Sequence, residues 1–214
     1  MLIAGLDESG KGDYFGPLVA SAVALDGKAI AELDALGLKD SKRHTRGRIK
    51  ELAQEIQKYP HSTVLISPSR YNELYKRFKN LNIILGWAHS QALENLIKEQ
   101  GPEIEIAILD KFSRKGEFTR AVAKKGIKIE IIEETRGEKY IPVAAASVLA
   151  RWRFISWMKR ESRKLGIELP LGSSSPKVLE TGCLLFEKGG MDLVSRYAKL
   201  HFKITEKLKS ECYR

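Results

Sequence analysis

Apolar positions along the chain follow two rhythms, one of strands and one of helices. Leu2-Ile3-Ala4-Gly5-Leu6 is an apolar run of strand length that stops at two adjacent carboxylates, Asp7 and Glu8, before Ser9-Gly10-Lys11-Gly12. Leu18 to Leu25 is a second β-competent run that ends at Asp26-Gly27. The link between these runs is too short for a helical crossover, so they predict an antiparallel hairpin. Ile49, Leu52 and Ile56 then recur at helical spacing in a helix expected from Thr45 to Tyr59, closed by Pro60. Thr63 to Ile66 reads as a third strand, and Ser67-Pro68-Ser69 opens another helix. Its aromatic stripe, Tyr71, Leu74, Tyr75 and Phe78, is read as core rather than as a base-stacking platform. Ile84, Ala88, Ala92 and Leu96 mark a longer helix that ends before Gly101-Pro102, with His89 on or near its apolar side and read as structural.

The strand pattern returns at Ile104 to Leu109 and again stops at a carboxylate, Asp110. A short basic helix is predicted from Lys115 to Lys124, and a strand from Ile127 to Ile132. Pro142 opens a helix rich in small residues, Val143 to Ala150, which runs on to a basic end at Lys159, Arg160, Arg163 and Lys164, where cations suit the helix dipole. From Gly166 the texture changes to Pro170, Gly172 and Ser173-Ser174-Ser175-Pro176, then two short helical stretches near 178–188 and 191–199. Strands alternating with helices and opened by a hairpin predict an α/β domain with a mixed sheet. Residues from about 166 to 214 are expected to pack on it as a helical C-terminal extension.

Lys and Arg number 37 against 27 Asp and Glu, a formal charge of +10. That excess favours a polyanionic partner, most simply nucleic acid, and fits equally a lysine-rich surface adapted to heat. Cys183 and Cys212 form neither a metal spacing nor a disulfide framework, which predicts a reducing, cytoplasmic setting. No apolar stretch approaches the length of a membrane span, so no membrane partner is expected.

Candidate chemistry centres on the acids. A carboxylate at the end of a buried strand loses hydration that hydrogen bonds or a cation must replace; the bland alternative is an edge strand ending in a solvated acidic turn. Asp7, Glu8 and Asp110 stand at predicted strand ends, where open α/β sheets place their ligands, and Glu138 precedes the helix after the last strand. Four converging acids raise one another's pKa unless cations neutralise them. His44, His61, His89 and His201 are scattered, so the donors are oxygens, which favour Mg²⁺ or Mn²⁺. Two such ions about 3.5–4 Å apart are a standard device for phosphodiester hydrolysis. Ser41 and Lys42 offer donors of the kind phosphate sites use, or else a helix-entry cap with a solvated lysine. Gly5-x-x-x-x-Gly10-Lys11 matches the front of a P-loop, yet Gly12 stands where that loop needs Ser or Thr, and a strand follows where it needs a helix. A basic nucleic-acid-binding module with purely structural acids is the competing class of function.

Taken in order, Asp7-Glu8-Ser9-Gly10-Lys11-Gly12-Asp13-Tyr14-Phe15-Gly16-Pro17-Leu18, Leu38-Lys39-Asp40-Ser41-Lys42, Leu81-Asn82, Leu109-Asp110 and Ala144 to Arg151 resemble the type 2 ribonucleases H, specifically ribonuclease HIII. The resemblance runs from Ile3 to about Thr205. It implies an RNase H-like fold with a five-stranded mixed sheet flanked by helices, 1–214 forming a single catalytic domain. It also implies two-metal cleavage of the RNA strand in RNA/DNA hybrids, leaving 5′-phosphate ends, by a monomer. Asp7, Glu8, Asp110 and Glu138 are then the catalytic, metal-binding carboxylates. Ser9, Gly10, Lys11, Gly12, Ser41, Lys42, Ser147 and Arg151 are the substrate-binding residues, with Gly10-Lys11-Gly12 supplying backbone contacts to ribose 2′-hydroxyls. The sister group, ribonuclease HII, usually has Asp at the fourth acid and Gly-Arg-Gly in the loop. Its tyrosine-bearing C-terminal motif is absent here, where Leu169-Pro170-Leu171-Gly172-Ser173 stands instead. Ribonuclease HIII usually carries an N-terminal substrate-binding domain, and the resemblance here begins at the catalytic strand.

Overall fold

A computed structural model describes residues 1–38, 44–100, 104–113 and 115–212. The chain divides into two compact units, one of Met1–Ser9, Val19–Val64 and Asn80–Trp152, the other of Gly10–Leu18, Leu65–Lys79 and Arg153–Arg214.

Five strands, β1 (Leu2–Ser9), β2 (Leu18–Leu25), β3 (His61–Ile66), β4 (Ile104–Asp110) and β5 (Glu130–Glu134), form one sheet in the order β3-β2-β1-β4-β5. β1 pairs antiparallel with β2, as the short link requires, and parallel with β4, which in turn pairs parallel with β5. The described helices are α1 (Gly27–Ala35), α2 (Arg46–Ile56), α3 (Pro68–Phe78), α4 (Leu81–Gln100), α5 (Glu117–Lys124), α6 (Ile141–Leu165), α7 (Pro176–Tyr197) and α8 (Ile204–Cys212). None is long and apolar enough to cross a membrane.

In the first unit, Ala4, Leu6, Ala107 and Leu109 share one sheet face and pack with Ala92, Leu93 and Leu96 of α4. The other face of β1 meets α6 so closely that a Cβ on Gly5 would stand 2.0 Å from the Pro142 carbonyl carbon and 2.2 Å from the Val143 amide nitrogen. Both obstacles are backbone, so no rotamer change relieves them. Asp26 caps α1 through a 2.8 Å bond from the Ala29 amide, and Thr45 caps α2.

Two expected elements are shifted, two helices stand where none was expected, and two expected stretches correspond to one interrupted helix. The last strand occupies Glu130–Glu134, not Ile127–Ile132. Ile127 and Ile129 do pack against the core, but from outside the ladder, so burial produced the alternation without strand pairing. The basic helix starts at Glu117, two residues later than expected, after Gly116 in the left-handed region (φ 63°). No periodic signal marks helices α1 and α8, because each is nine residues long and buries only two or three side chains. The two short stretches expected near 178–188 and 191–199 correspond to α7, interrupted at Gly189 and Gly190. Of the aromatic stripe, Tyr71 is buried, while Phe78 is 38% exposed.

In the second unit, residues 13–16 are tied to the C-terminal segment by backbone. Tyr14 N–H donates to Gly172 O at 2.8 Å, Gly16 N–H to Tyr197 O at 2.9 Å, and Lys199 N–H to Tyr14 O at 2.8 Å. The Gly172 amide returns a 2.7 Å bond to Asp13 Oδ1. Lys199 is wholly buried, and its amine donates to Gly16 O at 2.5 Å. Burial pushes that amine down to about 7, the Asp13 charge opposing only part of the fall. Asn72 ties α3 to the same segment, donating to Ala198 O at 2.9 Å and accepting from Leu200 N–H at 2.9 Å. Cys183 and Cys212, far apart in sequence, are free thiols whose sulfurs lie 2.9 Å apart.

Gly5→Ala should lower stability by roughly 2–3 kcal/mol through overpacking against backbone, read as a fall in the urea midpoint; an unchanged midpoint would contradict the close approach. Lys199 makes a pH-dependent contribution. Below pH 7 the amine is charged in both folded and unfolded chains, and folding bears the full cost of burying it. Between about 7 and its ordinary value of 10.5 the unfolded chain holds the extra proton, so stability rises with pH. Denaturant midpoints of wild type and Lys199→Met, taken at pH 6 and 9.5, should therefore differ by a pH-dependent amount favouring wild type at high pH, on the order of a few kcal/mol; a constant difference would place the amine's titration outside this window.

Candidate active site

The carboxyl end of β1 carries the acids, and strand alternation decides where each one points. Leu6 faces the core with Leu109, its partner in the parallel ladder. Asp7 therefore lies on the opposite face, the side of Gly5 and α6, and Glu8 returns to the α4 side. The ladder continues through both acids, pairing Asp7 with Ser21, Glu8 with Ala20 and Ser9 with Val19, so the strand does not end at the carboxylates as the hydropathy pattern alone indicated.

Asp110 stands one residue beyond Leu109, at the same level as Asp7 and on the same face. Its Oδ1 accepts a 2.9 Å bond from Gly137 N–H. Gly137–Lys139 is a single 3-10 turn entered through Arg136 in the left-handed region (φ 60°), and it carries Glu138, half-buried, beside that bond. The turn is anchored to β5 by Glu134, which pairs with the Lys139 amine and accepts from Tyr140 OH at 2.7 Å.

Asp7 is pushed up to about 7, first by loss of hydration and next by the charge of Glu8; Asp110 adds a smaller push. Hydrogen bonds from Ser147 of α6 and from the Glu8 amide, the latter at 2.8 Å, oppose the rise without reversing it. The charges of Glu8 and Asp110 thus push Asp7 in the same direction. Glu8 instead meets His89 of α4, whose Nε2 lies 3.0 Å from Glu8 Oε2. Among the described residues, no three His, Cys, Asp or Glu side chains close around a space for an ion. The donor set nevertheless fits a hard divalent cation: oxygens only, at strand ends, repelling one another.

Of the other residues singled out in the sequence, Ser147 serves Asp7 directly, and Ser9 closes the β1–β2 ladder. Arg151 is half-buried on α6. In the second unit Gly10 takes φ 86°, where a Cβ would strike Pro17 O at 2.1 Å and the Phe154 ring at 2.9 Å, so the fold itself requires glycine there. Lys11 and Gly12 are exposed, and a Cβ on Gly12 would meet nothing within 4 Å. Ser41 and Lys42 lie outside the described residues. His89, expected to be structural, is instead the polar partner of Glu8, and the signal for that task is an imidazole set in an apolar stripe between Ala88 and Ala92.

A family model described as Ribonuclease HII matches residues 4–205. The ribonuclease HIII of Protochlamydia amoebophila is 38% identical over 200 residues, 93% of this chain and 65% of that protein. The ribonuclease HIII of Listeria monocytogenes is 35% identical over 210 residues, 96% of this chain and 68% of that one. The chain thus spans about two thirds of the length of these relatives. Among solved structures, Bst-RNase HIII in complex with Mn²⁺ superposes with a TM-score of 0.92 at 31% identity, covering 99% of this chain and 70% of that one. Aquifex aeolicus RNase H3 gives 0.76 at 30% identity, covering 94% and 72%. With its RNase H-like mixed sheet and its acids at the ends of β1 and β4, the chain belongs to the ribonuclease HII family and, within it, to the ribonuclease HIII group.

Proposed function

We propose that this chain is an endoribonuclease that hydrolyses the RNA strand of RNA/DNA hybrids, leaving 5′-phosphate ends, with two Mg²⁺ or Mn²⁺ ions held by Asp7, Glu8, Asp110 and Glu138. The observation that carries this reading is the state of Asp7. A buried carboxyl raised to about 7 by loss of hydration and by the neighbouring acids Glu8 and Asp110, the latter level with it on the same face, is a site suited to positive charge from outside the chain. Bound divalent ions supply that charge and stabilise the phosphorus centre during hydrolysis. The chain's own residues fix the acids: Ser147 holds Asp7, and the Gly137 amide orients Asp110. The ribonuclease HIII relatives and the Mn²⁺ complex of Bst-RNase HIII support the same choice.

Substrate recognition is assigned to Ser9, Gly10, Lys11, Gly12, Ser147 and Arg151, together with Ser41 and Lys42. Gly12 supports this assignment, because the fold leaves room for a side chain there and a close backbone approach by ligand explains the glycine. Lys11 is exposed, as a phosphate contact would be. The net charge of +10 favours the same polyanionic partner. The chain is proposed to act in the cytoplasm as a monomer, its two units serving one catalytic domain.

The test is cleavage of an end-labelled hybrid by wild type and Asp7→Asn with Mg²⁺, with Mn²⁺ and with excess EDTA. Wild type should cut only with metal. Asp7→Asn should lose about 10³ in rate, or about 4 kcal/mol of transition-state stabilisation, while retaining hybrid binding through lysine and arginine contacts to phosphate. Cleavage undiminished by EDTA, or a mutant rate within about tenfold of wild type, would remove Asp7 and metal from the mechanism.

A second prediction concerns the subclass. Gly10-Lys11-Gly12 can sense a 2′-hydroxyl, but cutting at a lone ribonucleotide also needs a device that registers the change to deoxyribose next door. The segment where the sister group places its tyrosine motif instead binds backbone, Gly172 bonding to Asp13 and Tyr14. Initial rates on a duplex with a four-ribonucleotide insert should therefore exceed those on a single-ribonucleotide insert. Equal rates would assign ribonuclease HII behaviour and leave the metal mechanism standing.

A further inference from the structure

We propose that His89 is a positioning residue for Glu8: its Nε2–H holds the Glu8 carboxylate in the orientation from which that acid binds a divalent ion. The inference rests on the metal-binding reading of the acids given above and adds a residue to it. His89 is fully buried on α4, and the Glu8 side chain is 9% exposed. Their contact, Nε2 to Oε2 at 3.0 Å, joins residues 81 apart in sequence, so it exists only because α4 packs on the Glu8 side of β1.

The ring has little freedom to turn away. Phe112 stacks on it at 5.5 Å with 17° between planes, and Phe118 meets it edge-on at 6.2 Å and 83°. Which nitrogen carries the hydrogen follows from the surroundings. Nδ1 is buried with no hydrogen-bond partner among the described residues, so a hydrogen placed there would be an orphaned donor, whereas on Nε2 it meets a carboxylate oxygen. His89 therefore donates to Glu8. Packing alone gives no reason for an imidazole here. Leu or Phe would fill the same apolar stripe without burying a nitrogen that finds no partner.

Hydrogen bonds to ligating carboxylates fix their orientation, and removing one such partner typically lowers metal affinity about 10–100-fold. The decisive pair of variants is His89→Gln and His89→Asn. Both carry an amide of similar polarity into the same site, but the Gln nitrogen reaches the place of Nε2, whereas the Asn nitrogen reaches only that of Nδ1. Mn²⁺ binding to the nucleic-acid-free protein is measured by calorimetry, and hybrid cleavage is followed across Mn²⁺ concentration, with Asp7→Asn as the reference. His89→Asn should weaken Mn²⁺ binding about tenfold and raise the half-saturating Mn²⁺ for cleavage by the same factor. Its rate at saturating Mn²⁺ should stay within about threefold of wild type, and His89→Gln should stay near wild type in both assays. Equal losses in the two variants would reduce His89 to a packing role, and two unchanged variants would remove it from the site; either overturns the proposal. If Asp7→Asn itself binds Mn²⁺ like wild type, the metal reading fails and this inference falls with it. If Asp7→Asn loses Mn²⁺ while His89→Asn keeps it, the role of His89 alone is refuted.

Discussion

The carboxyl of Asp7 is removed from water beside Glu8 and within the field of Asp110, and much of the first unit is arranged around that unfavourable placement. A buried carboxylate near like charges must find donors, find a cation or take up a proton. The fold supplies donors: a hydroxyl from Ser147 and an amide from Glu8. These fall short, and the carboxyl stays well above the usual carboxylate range. Gly5 belongs to the same arrangement. By lacking a Cβ two residues earlier on the same face, it lets α6 approach β1 closely enough for Ser147 to reach the acid.

Much of this was legible in the chain because strand and helix patterns were strong where they mattered. The apolar run from Leu2, its twin from Ile104 and the carboxylate at the end of each placed Asp7 and Asp110 at strand ends, and the parallel ladder between β1 and β4 makes the two strands neighbours and puts the acids level. The small-residue helix after Pro142 was equally clear, and its alanines are fully buried. What could not be read was direction across the sheet. Adjacent letters, Asp7 and Glu8, look like one acidic pair, yet period-two alternation sends them to opposite faces and to different helices. The His89 contact was hidden for the same reason, since no local pattern links residues 8 and 89. The displaced last strand has another cause: Ile127 and Ile129 are apolar because they pack on the core, and burial alone cannot say whether a backbone is paired.

The second unit shows how much of a loop's support can lie in residues that carry no motif. The residues after Gly12 are held by Gly172, Tyr197 and Lys199, all contributed from more than 150 positions away. Lys199 is the unusual member, an amine buried at the cost of its charge so that it can satisfy the Gly16 carbonyl. A lysine in a basic C-terminal segment reads as one more surface cation. Only its burial distinguishes it, and burial comes from contacts that form late in the chain.

The acids of the first unit share a pattern of support that ties stability to chemistry. Asp7 has Ser147, Glu8 has His89, and Asp110 has the Gly137 amide; each donor comes from a different element, α6, α4 and the turn after β5. Each carboxylate is thereby oriented before any cation arrives. The mutual repulsion that remains is a destabilisation the folded chain tolerates, as strain is commonly tolerated where structure serves function. A more stable arrangement is easy to name, a lysine opposite Asp7 for example, but it would fill with a fixed charge the place that divalent ions are proposed to occupy. Fixed donors aimed at the acids satisfy both demands: they set direction without neutralising the charge that is proposed to recruit the metal.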